Sequence, residues 1–223
     1  CQQPTKDLIV IPPLPPTDLM YLASVAEQIG LEAKIEDYSQ GGNLEYDLRE
    51  FRPDYLVVNI ATPTLEHDLD AVKRAKEINP EIVTIAKGAG FLALGEKILA
   101  EHDFLDFGIL GEAEDTLKEI LLGKEKSEIL GIYYCENGEV KFTGKRPFID
   151  DLDSLPFPAR HLVDNNIYRR PDNNKVQATI KVERGCPFHC FFCLATPVSG
   201  AKVRRRSAEN IVAEIKECVE KYN

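Results

Sequence analysis

Long apolar runs are missing from the sequence, and no stretch approaches the roughly 18 consecutive apolar residues that a membrane-spanning helix requires. Internal repeats and low-complexity tracts are missing as well. Hydrophobic residues make up 43% of the 223 residues and charged residues 29%. This balance is typical of a chain that folds around a core, not of a disordered one. The sequence therefore predicts a globular protein without a membrane span.

Positive charge is also scarce. Lysine and arginine number 27 against 37 aspartate and glutamate residues, so the formal net charge is −10. A surface of this sign repels a nucleic-acid backbone except at a local basic patch. The one such patch in the sequence covers residues 202–206. We therefore expect no nucleic-acid partner.

Cysteines are few and unevenly distributed. The chain has six, too few for the disulfide framework of a secreted protein, and three of them fall within eight residues. Clustered thiols indicate a metal site in a reducing compartment, which predicts a cytoplasmic protein. Cys135 and Cys218 fall on a predicted strand and a predicted helix, and we expect both to be small core residues.

Short β-branched runs alternate with amphipathic stretches up to about residue 122. This alternation predicts an α/β fold, flavodoxin-like or Rossmann-like, built from βαβ units around a five-stranded parallel sheet. The strands are short and mostly apolar, as strands covered on both faces are: 7–11, 32–37, 55–60, 82–87 and 104–110. Helices are predicted at 18–29, 65–79 and 113–122.

The second half of the chain changes character. Strands at 131–135 and 139–143 flank Asn137 and Gly138, a pair that accepts the positive φ angles of a tight hairpin. Proline, aspartate and asparagine then become frequent, which predicts a linker at 146–174 between a first domain at 1–145 and a second at 175–223. The second domain holds a strand at 176–182, a cysteine loop and a helix starting near Ser207. That is one βα unit, whereas a complete (β/α) barrel needs about 200 residues.

The cysteine loop carries Cys186, Cys190 and Cys193. Spacings of four and three residues let one loop wrap a single cofactor. Thiolates are the usual ligands of iron–sulfur clusters, and three ligands on a four-iron cluster leave one iron open. Three alternatives stay open: buried free cysteines, a zinc site completed by His189 or a remote ligand, and a ferredoxin-like electron carrier.

This loop resembles the signature of radical S-adenosylmethionine enzymes, CxxxCxxC with an aromatic residue before the last cysteine, here Phe192. The resemblance implies that the three cysteines bind a [4Fe–4S] cluster, whose open iron is chelated by S-adenosylmethionine. Electron transfer then cleaves this cofactor to a deoxyadenosyl radical, with ferredoxin or flavodoxin as the electron donor. Phe192 is implied to lie near the adenine, and Arg184 is a further implied cofactor contact. Residues 203–207 resemble the segment that flanks the first barrel helix in that family, and a solvated basic run is the alternative interpretation of residues 204–206.

The chain before the loop resembles the cobalamin-binding members of that family. The resemblance rests on segments 12–22, 62–64, 88–90, 111–114 and 153–158. It implies a cobalamin-binding domain over 1–145 and a radical S-adenosylmethionine barrel beginning at 175. In open parallel sheets ligands bind beyond the carboxyl ends of the strands. The residues implied to line the cobalamin site are Thr62, Thr64, Gly88, Gly90, Gly111 and Glu112.

The resemblance predicts an enzyme, a cobalamin-dependent methyltransferase acting on an unactivated carbon of an unidentified substrate. Rearrangement, cyclisation or carbon–carbon coupling would use the same cofactors. The DxHxxG element that supplies histidine to cobalt in many cobalamin proteins has no counterpart after the first predicted strand. Activity of this segment alone is not expected, because the family's glycine-rich S-adenosylmethionine segments lie on later strands. The competing hypothesis is a non-catalytic zinc or iron–sulfur module with a vestigial Rossmann-like domain.

Overall fold

The computed structural model describes residues 14–38 and 41–222. These residues form seven α-helices and seven strands. The helices are α1 (Thr17–Gln28), α2 (Leu44–Phe51), α3 (Leu65–Ile78), α4 (Phe91–Glu101), α5 (Glu114–Leu121), α6 (Ala195–Ser199) and α7 (Ala208–Lys221). The strands are β1 (Tyr55–Asn59), β2 (Val83–Lys87), β3 (Phe107–Ile109), β4 (Ile132–Glu136), β5 (Glu139–Phe142), β6 (Glu183–Arg184) and β7 (Arg204–Arg205).

The chain forms two compact units that alternate along the sequence. The sheet unit consists of Asn43–Asp150 and Arg184–Arg204. The helix unit consists of the described residues up to Gly42, Asp151–Glu183 and the described residues from Arg205 onward. The cysteine loop is therefore part of the same compact unit as the sheet. The domain limits drawn at 145 and 175 stay predictions.

The sheet unit is built on a five-stranded sheet in the order β1-β2-β3-β4-β5. β1, β2 and β3 are parallel, with Tyr55 opposite Val83 and Ile85 opposite Phe107. β4 runs antiparallel to β3, and β5 pairs with β4 as the predicted hairpin. Asn137 and Gly138 turn that hairpin at φ angles of 53° and 80°. The α/β class with a five-stranded sheet is confirmed. Its parallel strands are those predicted at 55–60, 82–87 and 104–110, and the hairpin supplies the other two strands, which are antiparallel.

Two of the predicted strands do not form as predicted. Residues 32–37 are not assigned to a strand, although half-buried Ala33 and Ile35 alternate with exposed neighbours as they would in one. An extended segment is a strand only when it is hydrogen-bonded to a neighbour. The predicted strand at 7–11 lies outside the described residues.

The predicted strand at 176–182 is reduced to an isolated bridge at Val176, followed by the two residues of β6. The carbonyl oxygens of Thr179 and Lys181 accept hydrogen bonds from the side chains of Arg160 and Arg206. Each of these carbonyls thus bonds a side chain and is not part of a backbone ladder. The prediction of a strand over 176–182 was therefore wrong, because the backbone of this segment does not form a ladder.

Helix prediction was more successful. Helices predicted at 18–29, 65–79 and 113–122 correspond to α1, α3 and α5. Ser207 caps α7 as expected, because its hydroxyl accepts a hydrogen bond from the backbone N–H of Asn210 at 3.1 Å. Helices α2, α4 and α6 were not predicted, although the side chain of Asn43 caps α2 by accepting a hydrogen bond from the backbone N–H of Tyr46 at 3.1 Å.

Helices α3 and α4 pack on the same face of the sheet. Parallel strands that follow one another in both sequence and space are joined by right-handed crossovers, which place both connecting helices on one side. The core between them is formed by buried apolar residues: Ile60, Leu69, Val72, Ala86, Phe91, Ile98, Leu99, Leu105 and Leu110. This core holds the strand ends, and the loops that follow them, in place.

Gly108 leaves the space that the Phe91 ring fills. A Cβ atom at residue 108 would lie 2.3 Å from Cε1 of Phe91, a side chain with no exposed surface. Gly108→Val is therefore expected to lower the free energy of unfolding by roughly 2 kcal/mol, since overpacked cores shift at about that cost. Urea unfolding followed by circular dichroism measures it. Ala100→Leu, at an exposed position of α4, should change stability by less than about 0.5 kcal/mol, and an equal loss at both sites would contradict the prediction.

Candidate cofactor site

The carboxyl ends of β1, β2 and β3 lie along one edge of the sheet, because the three strands are parallel. The loops that follow them carry the residues predicted to line a cobalamin site. Thr62 and Thr64 lie in a single 3₁₀ turn after β1. Gly88 and Gly90 follow β2, and Gly111 follows β3. The structure thus brings the predicted loops to one edge, where ligands of such sheets bind.

Hydrogen bonds fix the turn after β1. The carboxylate of Asp68 accepts from the backbone N–H of Ala61 at 3.1 Å and from the hydroxyl of Thr64 at 2.7 Å. The Thr64 hydroxyl is therefore engaged within the turn, while Thr62 is exposed. Between these two predicted contacts, Thr62 is the one whose side chain is accessible to a ligand.

The glycines of this edge have different reasons to be glycine. A Cβ atom at Gly88 would lie 2.0 Å from the carbonyl oxygen of Ile60, so the ends of β1 and β2 approach each other only without a side chain there. Gly111 has a φ of 89°, which L side chains rarely adopt, and among the described residues other than its two neighbours no atom lies within 4 Å of the place a Cβ would take. The first glycine serves packing, and the second leaves open space at the edge.

Glu112, the next residue, has its carboxylate surrounded by hydrogen-bond donors. Arg204 donates to both of its oxygens at 2.8 Å, and the backbone N–H of Ile149 donates at 2.8 Å. Arg184 lies 3.5 Å away. The guanidinium of Arg204 also stacks over the ring of Phe148. Glu112 is therefore tied to residues on either side of the cysteine loop.

Glu114 makes a second link from the same segment. Its carboxylate accepts from Arg184 at 2.5 Å, and it is the first residue of α5, where negative charge is favoured. Burial by itself would raise the pKa of Glu114. The hydrogen bond and charge of Arg184, with the charge of Lys87, outweigh burial and lower that pKa below its ordinary value. Glu114 thus stays ionised beside Arg184.

The cysteine loop is held at both of its roots. A Cβ atom at Gly185, where φ is 93°, would lie 2.2 Å from the carbonyl oxygen of Lys202. The backbone N–H of Cys186 donates to the carbonyl of Gly200 at 2.9 Å. The Thr196 hydroxyl lies 3.0 Å from the Cys186 carbonyl oxygen and 2.7 Å from that of Phe188. These contacts close the two ends of the loop against each other.

The three thiols of the loop are free and accessible. Cys186 is half-buried, and Cys190 and Cys193 are exposed. Phe192 is 77% exposed. Within 14–38 and 41–222, no three side chains of His, Cys, Asp or Glu are grouped as a metal ion would need. The structure thus puts the thiols on one anchored loop but does not bring them to one point, and their role as cluster ligands stays a prediction.

Comparison with known proteins gives a consistent picture. The B12 binding domain family matches residues 12–121. The uncharacterized methyltransferase PH0819 of Pyrococcus horikoshii is 28% identical over 230 residues, covering 94% of this chain and 50% of that protein. The anaerobic magnesium-protoporphyrin IX monomethyl ester cyclase of Cereibacter sphaeroides is 26% identical, covering 93% of this chain and 36% of the cyclase. The solved structure of the cobalamin-dependent S-adenosylmethionine radical enzyme OxsB with aqua-cobalamin bound has a TM-score of 0.76 at 17% identity, covering 92% of this chain and 29% of that chain.

The chain contains a B12-binding domain over residues 12–121. Over nearly its whole length it shares its fold with the cobalamin-dependent S-adenosylmethionine radical enzyme OxsB. It spans half the length of PH0819 and about a third of the cyclase. The matched B12-binding domain contains β1, β2, β3 and the loops at their carboxyl ends. The flavodoxin-like interpretation of this part of the chain is therefore confirmed.

Parts of this edge of the B12-binding domain are accessible. The loops after β1, β2 and β3 share it, Thr62 is accessible there, and open space adjoins Gly111. Glu112 does not share this availability, because four donors already surround its carboxylate. None of the helices over 14–38 and 41–222 has the length and apolar character to cross a membrane.

The basic run at 202–206 is not a solvated patch in this B12-binding chain. Arg204 is paired with Glu112, and Arg206 with Glu214; both arginines are buried. Only Lys202 and Arg205 are exposed, and each has its own acidic partner. The interpretation of 204–206 as a solvated run was therefore wrong for Arg204 and Arg206.

Sequence reasoning missed a second buried ion network, in the helix unit. Glu214 of α7 accepts from Arg160 at 2.6 Å and also from Arg206. Glu214 is 1% exposed and Arg160 2%. No signal in the sequence marks a glutamate on an amphipathic helix as buried.

Of the two cysteines expected in the core, Cys218 is half-buried, with a thiol pKa raised by burial. Cys135 is exposed next to the hairpin turn, so the expectation that it is a core residue was wrong.

Proposed function

We propose that the chain carries the cobalamin site and the cluster-binding loop of a radical S-adenosylmethionine methyltransferase. One observation supports this most directly: the segment that ends the third parallel strand also anchors the cysteine loop. We call the sheet edge at the carboxyl ends of β1, β2 and β3 the cobalamin edge. Glu112 and Glu114 follow β3 at this edge, and both pair with arginines at the roots of the loop. Methyl transfer to a radical requires both cofactors near one substrate, and one compact unit holds both sets of residues.

In this proposal each residue has a defined task. Cys186, Cys190 and Cys193 hold a [4Fe–4S] cluster, and Phe192 packs on the adenine of S-adenosylmethionine. Thr62 and the glycine loops hold cobalamin. One-electron reduction at an open iron and a transferable methyl group are the chemistry that these groups supply when bound.

Arg184 takes a different task from the one implied by the resemblance. Its guanidinium pairs with Glu114 at 2.5 Å and lies 3.5 Å from Glu112, so we assign it to hold the loop. An electron donor such as ferredoxin or flavodoxin delivers the electron. PH0819 is named as a methyltransferase, which favours methyl transfer to an unactivated carbon as the reaction.

A second candidate reaction is ring formation. The name of the Cereibacter sphaeroides relative is that of a cyclase, and the same residues would serve that chemistry. Product analysis by mass spectrometry separates the two, because replacing a hydrogen by a methyl group adds about 14 mass units, whereas oxidative ring closure removes a pair of hydrogens.

The proposal is tested by anaerobic reconstitution of the chain with iron and sulfide. We expect about four iron and four acid-labile sulfide atoms per chain, the content of a single cubane cluster. Addition of S-adenosylmethionine should change the electron paramagnetic resonance spectrum of the reduced cluster. Hydroxocobalamin should co-elute with the chain in gel filtration. Bound zinc without sulfide would support the non-catalytic module instead and would refute the radical reaction.

A further inference from the structure

Four side chains that are 3–11% exposed join the B12-binding domain to the cysteine loop. We call Glu112, Glu114, Arg184 and Arg204 the carboxylate clamp. The two glutamates are within one turn of each other at the end of β3, whereas their partners are 70 and 92 residues further along the chain. Arg184 stands two residues before the first cysteine of the loop, and Arg204 follows the loop and α6. The clamp therefore grips both flanks of the loop from one short segment.

The clamp contributes geometry more than stability. Burying ionised groups costs solvation energy that their attraction only about balances, so buried ion pairs are weak stabilisers. The pairing of Arg204 with Glu112 is bidentate, which fixes the relative orientation of the two planar groups. Arg204 also donates to the carbonyl oxygens of Ile149 and Ser199. These directed hydrogen bonds hold the guanidinium of Arg204 in a single position.

The part of the loop that bears the thiols has little support of its own. Phe191 is 100% exposed and Phe192 77%, and Cys190 and Cys193 are exposed as well. The position of this segment is therefore set at its roots, where the clamp and the bonds between residues 185–186 and 200–202 lie. Loss of the clamp would leave the roots joined to each other but no longer tied to the end of β3.

We propose that Glu112 and Glu114 are positioning residues that fix the cysteine loop against the cobalamin edge of the sheet, so that the cluster is retained at a set distance from cobalamin. This inference rests on the proposed function, since it takes the three cysteines as cluster ligands. It goes further in giving Glu112 a task other than contact with cobalamin. It also explains why Glu112 and Glu114 are buried although they border a ligand-binding edge.

The test compares Glu112→Gln and Glu114→Gln with the unsubstituted chain after anaerobic reconstitution. Both substitutions keep the shape of the side chain and remove its charge. We expect the rate of iron loss to a chelator to rise at least about tenfold, the usual cost of losing support around a metal ligand. The spectrum of the reduced cluster should broaden, while the hydroxocobalamin dissociation constant stays within about twofold, because the glycine loops are untouched. Arg204→Lys keeps the charge but not the bidentate geometry, so its rate of iron loss should lie between those of the unsubstituted chain and the two glutamine variants.

Glu214→Gln is the matched control. It also removes the charge of a glutamate buried between two arginines, but this glutamate belongs to the helix unit and makes none of the clamp contacts. We expect it to lower stability without changing the rate of iron loss from folded protein. Equal iron loss in the control would overturn the inference, and so would wild-type iron retention and spectrum in both Glu112→Gln and Glu114→Gln. Failure of the unsubstituted chain to form any cluster would instead refute the proposed function, and the inference with it. If Glu112→Gln does not fold, Arg204→Lys and Glu114→Gln decide the outcome.

Discussion

Cys190→Ala is expected to abolish the iron–sulfur cluster. Iron content after reconstitution should fall from about four atoms per chain to below about one, because two thiolates leave two irons of the cubane without protein ligands. The visible absorbance of the cluster and the response to S-adenosylmethionine should disappear together. Cys186→Ala and Cys193→Ala should behave in the same way, since each of the three thiols supplies one ligand in the proposal and none is in a disulfide.

Cys135→Ala and Cys218→Ala provide the controls within the same chain. Cys135 is an exposed free thiol, and Cys218 is a half-buried one. Neither belongs to the loop, so both variants should bind iron and sulfide as the unsubstituted chain does. Iron retention in Cys190→Ala at the level of these controls would show that the loop does not hold the cluster.

Glu214→Gln should cause the largest loss of stability of the substitutions considered. It leaves Arg160 and Arg206 buried without their shared counter-charge. Removal of one partner from a buried ion pair typically costs about 3–5 kcal/mol, a large share of the 5–15 kcal/mol, roughly, that stabilises a domain. Among the described residues Nε and Nη1 of Arg160 already have no hydrogen-bond partner, so the site has no reserve of acceptors. Urea unfolding at neutral pH measures the change.

Lys202→Met is the corresponding control at the surface. Lys202 and Asp150 form an ion pair at 3.0 Å, with 78% and 80% of their side chains exposed. Exposed pairs contribute at most about 1 kcal/mol because water screens them. The two substitutions should therefore differ in free energy of unfolding by at least about 2 kcal/mol. Similar values for both would mean that Glu214 is not buried in solution.

The features that could be predicted from the sequence are the local ones. The cysteine spacing, the cap at Ser207 and the turn at Asn137 and Gly138 each depend on residues a few positions apart. The strands β1, β2 and β3 were predicted from short apolar runs, which a doubly covered strand requires wherever it lies in the sheet. The antiparallel direction of the hairpin followed from its turn, but its place beside β3 did not.

The orientation of α7 shows where local reasoning stops. Its sequence is amphipathic, and the expectation is that valine and isoleucine face the core. In the structure Val212, Ile215 and Val219 are exposed, and the side chain that is buried is that of Glu214. The buried carboxylate is paired with two arginines, Arg160, which is 54 residues away in the chain, and Arg206, which is 8 residues away.

By itself the sequence determined the fold class, the positions of the strands at the cobalamin edge and the identity of the three thiols, because each is written in the spacing of neighbouring residues. Only the tertiary structure decided that Glu112 and Glu114 pair with Arg204 and Arg184 and not with a ligand. A carboxylate in a glycine-rich loop has the same local pattern whether it faces a cofactor or an arginine. Its partner here is 70 or 92 residues away, and ion pairing over that separation leaves no periodic trace in the sequence.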